Sequence, residues 1–185
     1  MRDSEQETLK HSRRVQQLLH EVASNLIERA RVHDRSKLSE PEVDVFDEYT
    51  SKLKGMTYGT DEYRECLAGM KPALDHHYAA NSHHPEHRSG GIRDMSLLDL
   101  LEMFVDWRAA TERHADGDLE KSIELNQSRF GYSDELKAIL LRTRLELFHP
   151  YRESWHCCGC GNGGAQGNFC EMCGAGKLDY YPKTV

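Results

Sequence analysis

Residues 97–114 read LLDLLEMFVDWRAATERH and carry apolar side chains on nearly every side of a helix. Ser96, just before them, is a residue type that caps helix N-termini. A helix that is apolar all round has no face suited to solvent, so the pattern predicts a central, buried helix. No run of alternating apolar residues in the first 150 positions indicates a sheet. The sequence therefore predicts an all-α helical bundle around this segment.

Two aspartates interrupt the apolar surface of this helix. Asp99 and Asp106 are seven residues apart, so they share one face and lie two turns apart. A buried carboxylate is costly unless an ion pair, a hydrogen bond or a metal ion compensates its charge. A structural salt bridge to an arginine is one explanation. We interpret Asp106 as a metal ligand.

The segment before this helix is rich in histidine. Residues 76–87 read HHYAANSHHPEH and contain five of the eleven histidines of the chain. Neutral imidazole is a common metal ligand and is rarely gathered this densely for packing. Chance clustering on a solvated loop is the alternative. We interpret the segment as part of a metal site with the candidate ligands His76, His77, His83 and His84.

Two segments nearer the N-terminus add candidate ligands. A helix predicted over residues 5–31 has an apolar stripe that includes His11, so His11 is expected to point inward. A lone inward histidine is more often structural than a ligand, and His11 counts only together with the others. His33 and Asp34 follow this helix directly. They are expected at a helix end, where the fold fixes their side chains beside an open site.

The start of the second helix carries a capping signature. Ser39 is followed three residues later by Glu42, with Pro41 in the first turn. In such a capping box the acidic side chain reaches back to the backbone of the capping residue. The sequence therefore predicts that Glu42 stabilises a helix terminus.

These histidines and acids suit one or two divalent transition metal ions. Helical bundles build such sites from groups on separate helices. Mixed imidazole and carboxylate ligands favour Mn, Fe, Co, Ni or Zn over Ca. Ions of this kind lower the pKa of bound water and hold phosphate oxygens, which suits phosphoester hydrolysis.

Residues 151–185 differ in composition from residues 1–150, and we predict a domain boundary between them. Two CxxC pairs, each followed by glycine, are separated by nine residues and predict a four-cysteine zinc site in a small zinc ribbon. A redox pair is the alternative. The intervening GNGGAQGNF has no Lys or Arg, so we expect the ribbon to stabilise the chain or bind a protein partner. The predicted zinc ligands are Cys157, Cys160, Cys170 and Cys173.

The formal net charge of −7 and the absence of a basic block argue against extensive nucleic-acid binding. The N-terminal MRDSEQETLK has no apolar core of a signal peptide, and no apolar run approaches the roughly 20 residues of a membrane span. We therefore expect a soluble, cytoplasmic protein without membrane contact.

The order H…HD…D resembles the HD superfamily of metal-dependent phosphohydrolases, which are all-helical enzymes. His11, the pair His33-Asp34 and Asp106 match that order, at spacings of 22 and 72 residues. HDRSK is also similar to the HDxGK form of the phosphodiesterase branch, with serine in place of glycine. The resemblance implies that Lys37 contacts substrate phosphate.

That branch also has an adjacent histidine pair that completes a binuclear centre, and both His76-His77 and His83-His84 match it. HHPEHRSGG is similar to the HHE…DG.GYP loop of cyclic-dinucleotide phosphodiesterases but lacks its tyrosine and proline, so that specificity does not carry over. A second resemblance covers most of residues 8–147, including LDHHYAANSHHPEH and SIELNQSRFG. It is to a phage and bacterial family of unassigned function, which would place the protein in a host cytoplasm.

The resemblance implies a metal-dependent phosphohydrolase that acts on a nucleotide, a cyclic nucleotide or a related phosphoester. Asp34, His77 and Lys37 are the expected catalytic residues, and Lys37, Arg88 and Arg93 are expected to neutralise phosphate. The alternative is a degenerate HD fold that binds a nucleotide or a host protein without turnover.

Overall fold

The computed structural model describes residues 2–53, 61–113 and 117–148, together with two short strands at 155–157 and 180–182. The described part is mostly helical, which confirms the all-α class of the first 150 residues. Its α-helices are α1 (Asp3–Val32), α2 (Val43–Leu53), α3 (Asp61–Gly69), α4 (Lys71–Ala80), α5 (Leu97–Thr111), α6 (Leu119–Phe130) and α7 (Asp134–Phe148).

The chain forms two compact units, Met1–Tyr132 and Ser133–Val185. The predicted boundary at residue 150 therefore falls within the second unit, which also includes α7. In this unit β1 (Trp155–Cys157) pairs antiparallel with β2 (Tyr180–Pro182). Cys157 ends β1, whereas the predicted zinc ligands Cys160, Cys170 and Cys173 lie outside the described residues.

The helix α5 supplies buried side chains to the core of the first unit, but its Val105 is 45% exposed, so the helix is not buried on all sides as its sequence predicts. Ser96 caps α5, because its hydroxyl accepts a hydrogen bond from the Asp99 backbone N–H at 3.1 Å. Phe104 is fully buried, and so is Ile123 of the neighbouring α6. Burying side chains of this size contributes roughly 1.5–3 kcal/mol each. These contacts fix α5 and the acidic face that it presents to the N-terminal segments.

Most of α1 does not enter this core, which corrects the prediction for His11. None of the residues of α1 is buried, and Leu9, Val15 and Val22 remain 39–46% exposed. The helix meets α5 near its C-terminal end, through Arg29. His11 is exposed and stands eighteen residues before Arg29, about 27 Å along the helix axis. It therefore lies outside the core and away from the other candidate ligands.

The backbone turns sharply where α1 ends, and this turn places Asp34. His33 is the C-terminal cap of α1, and Asp34 takes a left-handed conformation with φ of 55°. Aspartate and asparagine are among the few non-glycine residues that tolerate this region. A 3₁₀ turn at Arg35–Leu38 follows and leads to α2. The carboxylate of Asp34 thus faces the histidine-rich segment between α4 and α5.

Among the described residues, no helix combines the length and the apolar character that crossing a membrane requires.

Candidate metal centre

Four side chains converge where the end of α1 meets the histidine-rich segment. Oδ1 of Asp34 lies 3.2 Å from Nε2 of His77 and 3.5 Å from Nε2 of His83. Nε2 of His84 lies 2.9 Å from Nε2 of His77. One ligand atom from each of the four residues falls within 4.8 Å of the others. Their separation is of the size that one divalent ion can bridge.

A buried carboxylate behind His77 sets the orientation of its ring. Glu42 has no exposed surface, and its Oε2 lies 2.9 Å from Nδ1 of His77. A carboxylate can only accept, so Nδ1 carries a hydrogen, and in the neutral ring the lone pair is then at Nε2. Histidine ligands of metals are commonly held by this kind of carboxylate contact. The other oxygen of Glu42 lies 2.7 Å from Nδ1 of His76.

A second carboxylate stands behind two further histidines. Oε1 of Glu102 lies 2.8 Å from Nδ1 of His33 and 3.2 Å from Nδ1 of His83. Each of these rings therefore also directs Nε2 away from the carboxylate and toward Asp34. Arg29 donates to the other oxygen of Glu102 at 2.7 Å.

The centre leaves buried polar atoms without a protein partner. Oδ1 of Asp34 and Nε2 of His83 are both buried, and neither has a hydrogen bond within the described part of the chain. Such atoms are rare in folded proteins because desolvating them costs about 1–3 kcal/mol each. Nε2 of His77 and Nε2 of His84 are 2.9 Å apart, and both atoms can turn a lone pair to a cation once neither carries a hydrogen. A cation would compensate all of these atoms at once, so the residues fit a divalent metal ion.

Asp34 also belongs to a second group of candidate ligands. Nε2 of His33 lies 3.7 Å from Oδ2 of Asp34 and 3.7 Å from Oδ1 of Asp106. These three residues can likewise bring one ligand atom each within 4.8 Å. The two groups share only Asp34, whose two oxygens face different histidines. The arrangement can hold one ion or two.

The contacts at the centre shift the pKa values of His33 and Asp34. Interaction with Asp106 raises the pKa of His33 to about 9, against the effect of burial and with a contribution from Glu102. Burial alone raises the pKa of Asp34, but His77 and Lys37 outweigh it and hold that pKa well below its usual range. Asp34 is therefore an anion near neutral pH, as a metal ligand must be.

Lys37 of the HDRSK motif lies beside the candidate ligands. Its ammonium group is 2.6 Å from Oδ2 of Asp34 and 5.2 Å from the ring centre of Phe46. About a third of the side chain is exposed. The ammonium can therefore reach both the centre and a ligand that arrives from solvent.

Three other predicted residues do not join the ligand groups. His76 contacts Glu42 through its Nδ1, is 45% exposed and belongs to neither ligand group. This corrects the prediction that both His76 and His77 bind metal. Arg88 donates to the buried carboxylate of Asp99 at 2.9 Å, which assigns it a structural contact. Arg93 is exposed on the 3₁₀ turn Gly91–Asp94.

The carboxylates of Glu42 and Glu102 were not among the predicted site residues. Glu42 was assigned to a capping box, but its side chain binds His76 and His77 instead of the backbone at Ser39. Glu102 lies between Asp99 and Asp106 on the same face of α5, three residues after the one and four before the other. That spacing was the available signal for Glu102.

The half-buried imidazole of His84 makes the metal-free protein sensitive to acid. Burial, with smaller effects of His83 and His77, lowers the pKa of His84 to about 3 from an ordinary value near 6.5. Between these values the unfolded chain binds more protons than the folded one, so the free energy of unfolding falls as the pH drops below 6.5. One such group contributes a loss of about 1 kcal/mol between pH 6.5 and 5.5.

Between pH 6.5 and 5.5, we therefore expect the free energy of unfolding of His84→Gln to fall by about 1 kcal/mol less than that of wild type. Urea unfolding at the two pH values, in the presence of a chelator, measures the difference. His20→Gln, at an exposed position of α1, is the matched control and should keep the wild-type slope. Equal slopes for wild type and His84→Gln would show that His84 is not held neutral.

The comparison with known proteins identifies a family whose function is unknown. No curated protein and no solved structure shows a significant match to the chain. One family model matches residues 1–151, which include the two ligand groups and all of the helices described above. The chain therefore belongs to DUF5662, a family of unknown function.

Proposed function

We propose that the protein is a metal-dependent phosphohydrolase acting on a nucleotide, a cyclic nucleotide or a related phosphoester. The convergence of Nε2 atoms from His77, His83 and His84 on Oδ1 of Asp34 carries this proposal. The buried, unpartnered atoms at that point support a cation in the centre. The HD-like order of His33, Asp34 and Asp106 supports the hydrolytic activity.

In this proposal the first ligand group holds one ion, and His33, Asp34 and Asp106 hold a second. Mixed imidazole and carboxylate donors suit Mn, Fe, Co, Ni or Zn. Such ions supply Lewis acidity and lower the pKa of water at neutral pH. The other contributions to catalysis would come from side chains of the protein.

Lys37 is the residue that we propose to neutralise substrate phosphate. Its ammonium balances the charge of Asp34 and is partly exposed, so a phosphate oxygen can take over this contact without a large movement of the side chain. Arg93 is exposed and available for a second phosphate contact. Arg88 is engaged with Asp99, and we do not assign it a substrate.

The C-terminal unit is proposed to bind a structural zinc ion. The spacing of the two CxxC pairs supports this, with Cys157 at the end of β1 as one ligand. The role we propose for the ribbon is to stabilise the chain or to bind a protein partner.

Metal analysis of the full chain tests the centre. The ribbon is expected to bind a zinc ion. Replacing its four cysteines with serine should therefore remove that zinc ion and leave the ions of the first unit in place; the substituted residues are Cys157, Cys160, Cys170 and Cys173. We expect one or two ions per chain in this variant after reconstitution with Mn, Fe, Co, Ni or Zn. A variant that binds none would contradict the proposed centre.

The metal-loaded full chain is then incubated with nucleotides, cyclic nucleotides and a generic phosphodiester. We expect hydrolysis that stops on chelation and returns with metal. His83→Gln should abolish it, whereas His87→Gln, at an exposed histidine outside both ligand groups, should not. Tight nucleotide binding without turnover would instead support the non-catalytic alternative.

A further inference from the structure

We propose that Glu102 is a positioning residue that orients the rings of His33 and His83 and fixes the tautomer of His83. The inference rests on the proposed metal centre, because it explains why both rings turn Nε2 toward that centre. Glu102 is largely buried on α5, and its Oε1 alone contacts Nδ1 of His33 at 2.8 Å and Nδ1 of His83 at 3.2 Å. One oxygen thereby links the two ligand groups.

The contacts of Glu102 identify it as a hydrogen-bond acceptor. Its Oε2 accepts from Nε of Arg29 at 2.7 Å, so a guanidinium already balances its charge. His33, His83 and Glu102 can also bring ligand atoms within 4.8 Å of one another. A cation there would stand beside Arg29 and would use the Nδ1 atoms, which leaves Oδ1 of Asp34 without a partner. With both Nδ1 atoms turned to Glu102, the Nε2 atoms of the two rings stay on the side of Asp34.

The rings of His33 and His83 lie close together and contact the same carboxylate. Their centroids are 4.5 Å apart, and both turn Nδ1 toward Glu102. Because the carboxylate cannot donate, both Nδ1 atoms must carry hydrogen. In the neutral imidazole the lone pair is then at Nε2, the atom that faces Asp34. Glu102 thus selects the tautomer that can bind a metal.

Arg29 fixes which way a substituted amide would face. Its NH2 group donates to Asp99 at 2.5 Å and to Ser82 at 3.2 Å, so its Nε remains directed at position 102. In Glu102→Gln the amide oxygen must face this donor, and the amide NH2 then faces the two Nδ1 atoms. Two donors cannot share a hydrogen bond, so Nδ1 must become the acceptor. The hydrogen moves to Nε2, which can no longer bind a cation.

The tautomer can be measured without metal. Two-bond ¹H–¹⁵N correlation spectra of the full chain, with chelator at pH 8, distinguish Nδ1–H from Nε2–H imidazole, and His83→Gln assigns the His83 signals. We expect Nδ1–H for His83 in wild type and Nε2–H in Glu102→Gln. An Nε2–H tautomer of His83 in wild type would overturn the proposal without recourse to any variant.

The metal affinity provides the second readout. Titration with Mn²⁺ or Zn²⁺ should show a 10- to 100-fold weaker affinity in Glu102→Gln, as for other residues that orient histidine ligands. Glu28→Gln, which makes the same change at an exposed position of α1, should match wild type in affinity and in tautomer. Unchanged affinity in Glu102→Gln would overturn the positioning role.

The two readouts separate this inference from the proposed function. If wild type shows the Nδ1–H tautomer but binds no ion, the metal centre fails while the contact of Glu102 with His83 stands. If wild type binds metal and hydrolyses a phosphoester but His83 keeps the same tautomer in Glu102→Gln, the positioning role fails alone.

Discussion

Asp34→Asn is expected to weaken metal binding at both ligand groups by more than about 100-fold, and to abolish the proposed hydrolysis with it. Asp34 is the only residue that the two groups share, and each of its oxygens faces a different histidine. An amide has one oxygen and no charge, so it cannot serve both sides. Asparagine also tolerates the left-handed backbone at this position, where φ is 55°.

The fold should therefore survive this substitution, and helix content by circular dichroism provides the check. Asp47→Asn is the matched control, because Asp47 is exposed on α2 and belongs to neither ligand group. Metal content after dialysis is measured for both variants beside wild type. If Asp34→Asn kept the metal content of wild type, Asp34 would not be a ligand. The proposal of two ligand groups that share Asp34 would then be wrong.

Helix ends could be predicted where the signal is local. Ser96, before the apolar run of α5, caps that helix as predicted. Gly131 ends α6 with a positive φ of 64°, a conformation that glycine adopts freely. Each of these residues acts on its own neighbours in sequence, so no knowledge of the tertiary structure is needed.

His11 shows where periodicity alone is insufficient. An apolar stripe indicates which residues share a face of α1, but not which part of that face is covered. The stripe runs from Leu9 to Leu26, whereas contact with α5 is made near Arg29. The prediction for His33 and Asp34 depended on their place at the helix end, and both lie at the centre.

Glu42 shows how tertiary contacts override a local motif. The sequence from Ser39 to Glu42 fits a capping box, and a capping glutamate is normally solvated. Here the carboxylate is fully buried against Nδ1 of His76 and of His77, which come from α4. Adjacent helix residues point about 100° apart, so the two cannot share one centre equally. His77 faces the ligand group, and His76 reaches only Glu42.

The spacing of Asp99 and Asp106 along α5 does not distinguish the two carboxylates, and the structure gives them different contacts. Asp99 is buried and paired with Arg29 at 2.5 Å and with Arg88 at 2.9 Å. Burial alone raises the pKa of Asp99, but hydrogen bonds from Ser82 and Ser96 outweigh it and hold that pKa below its usual range. The structural salt bridge is therefore the correct explanation for Asp99, while Asp106 faces His33.

Asp99→Asn is expected to lower the free energy of unfolding by about 1.5–3 kcal/mol, because it removes the charge of a buried carboxylate that accepts hydrogen bonds from the partly buried Arg29 and Arg88. Asp106→Asn, seven residues later on the same helix, should lower it by less than Asp99→Asn does in the metal-free protein. Asp106 is more exposed than Asp99, and its loss also removes repulsion with Asp34. Urea unfolding in the presence of a chelator measures both variants.

Metal binding should respond in the opposite order. Asp106→Asn removes a ligand of the second group and is expected to abolish turnover with helix content intact, whereas folded Asp99→Asn should keep its ions because Asp99 belongs to neither group. Activity at a temperature where both variants are folded separates the two effects. Wild-type turnover in Asp106→Asn with bound metal would exclude Asp106 as a ligand. A stability loss as large as that of Asp99→Asn would make it a structural residue too.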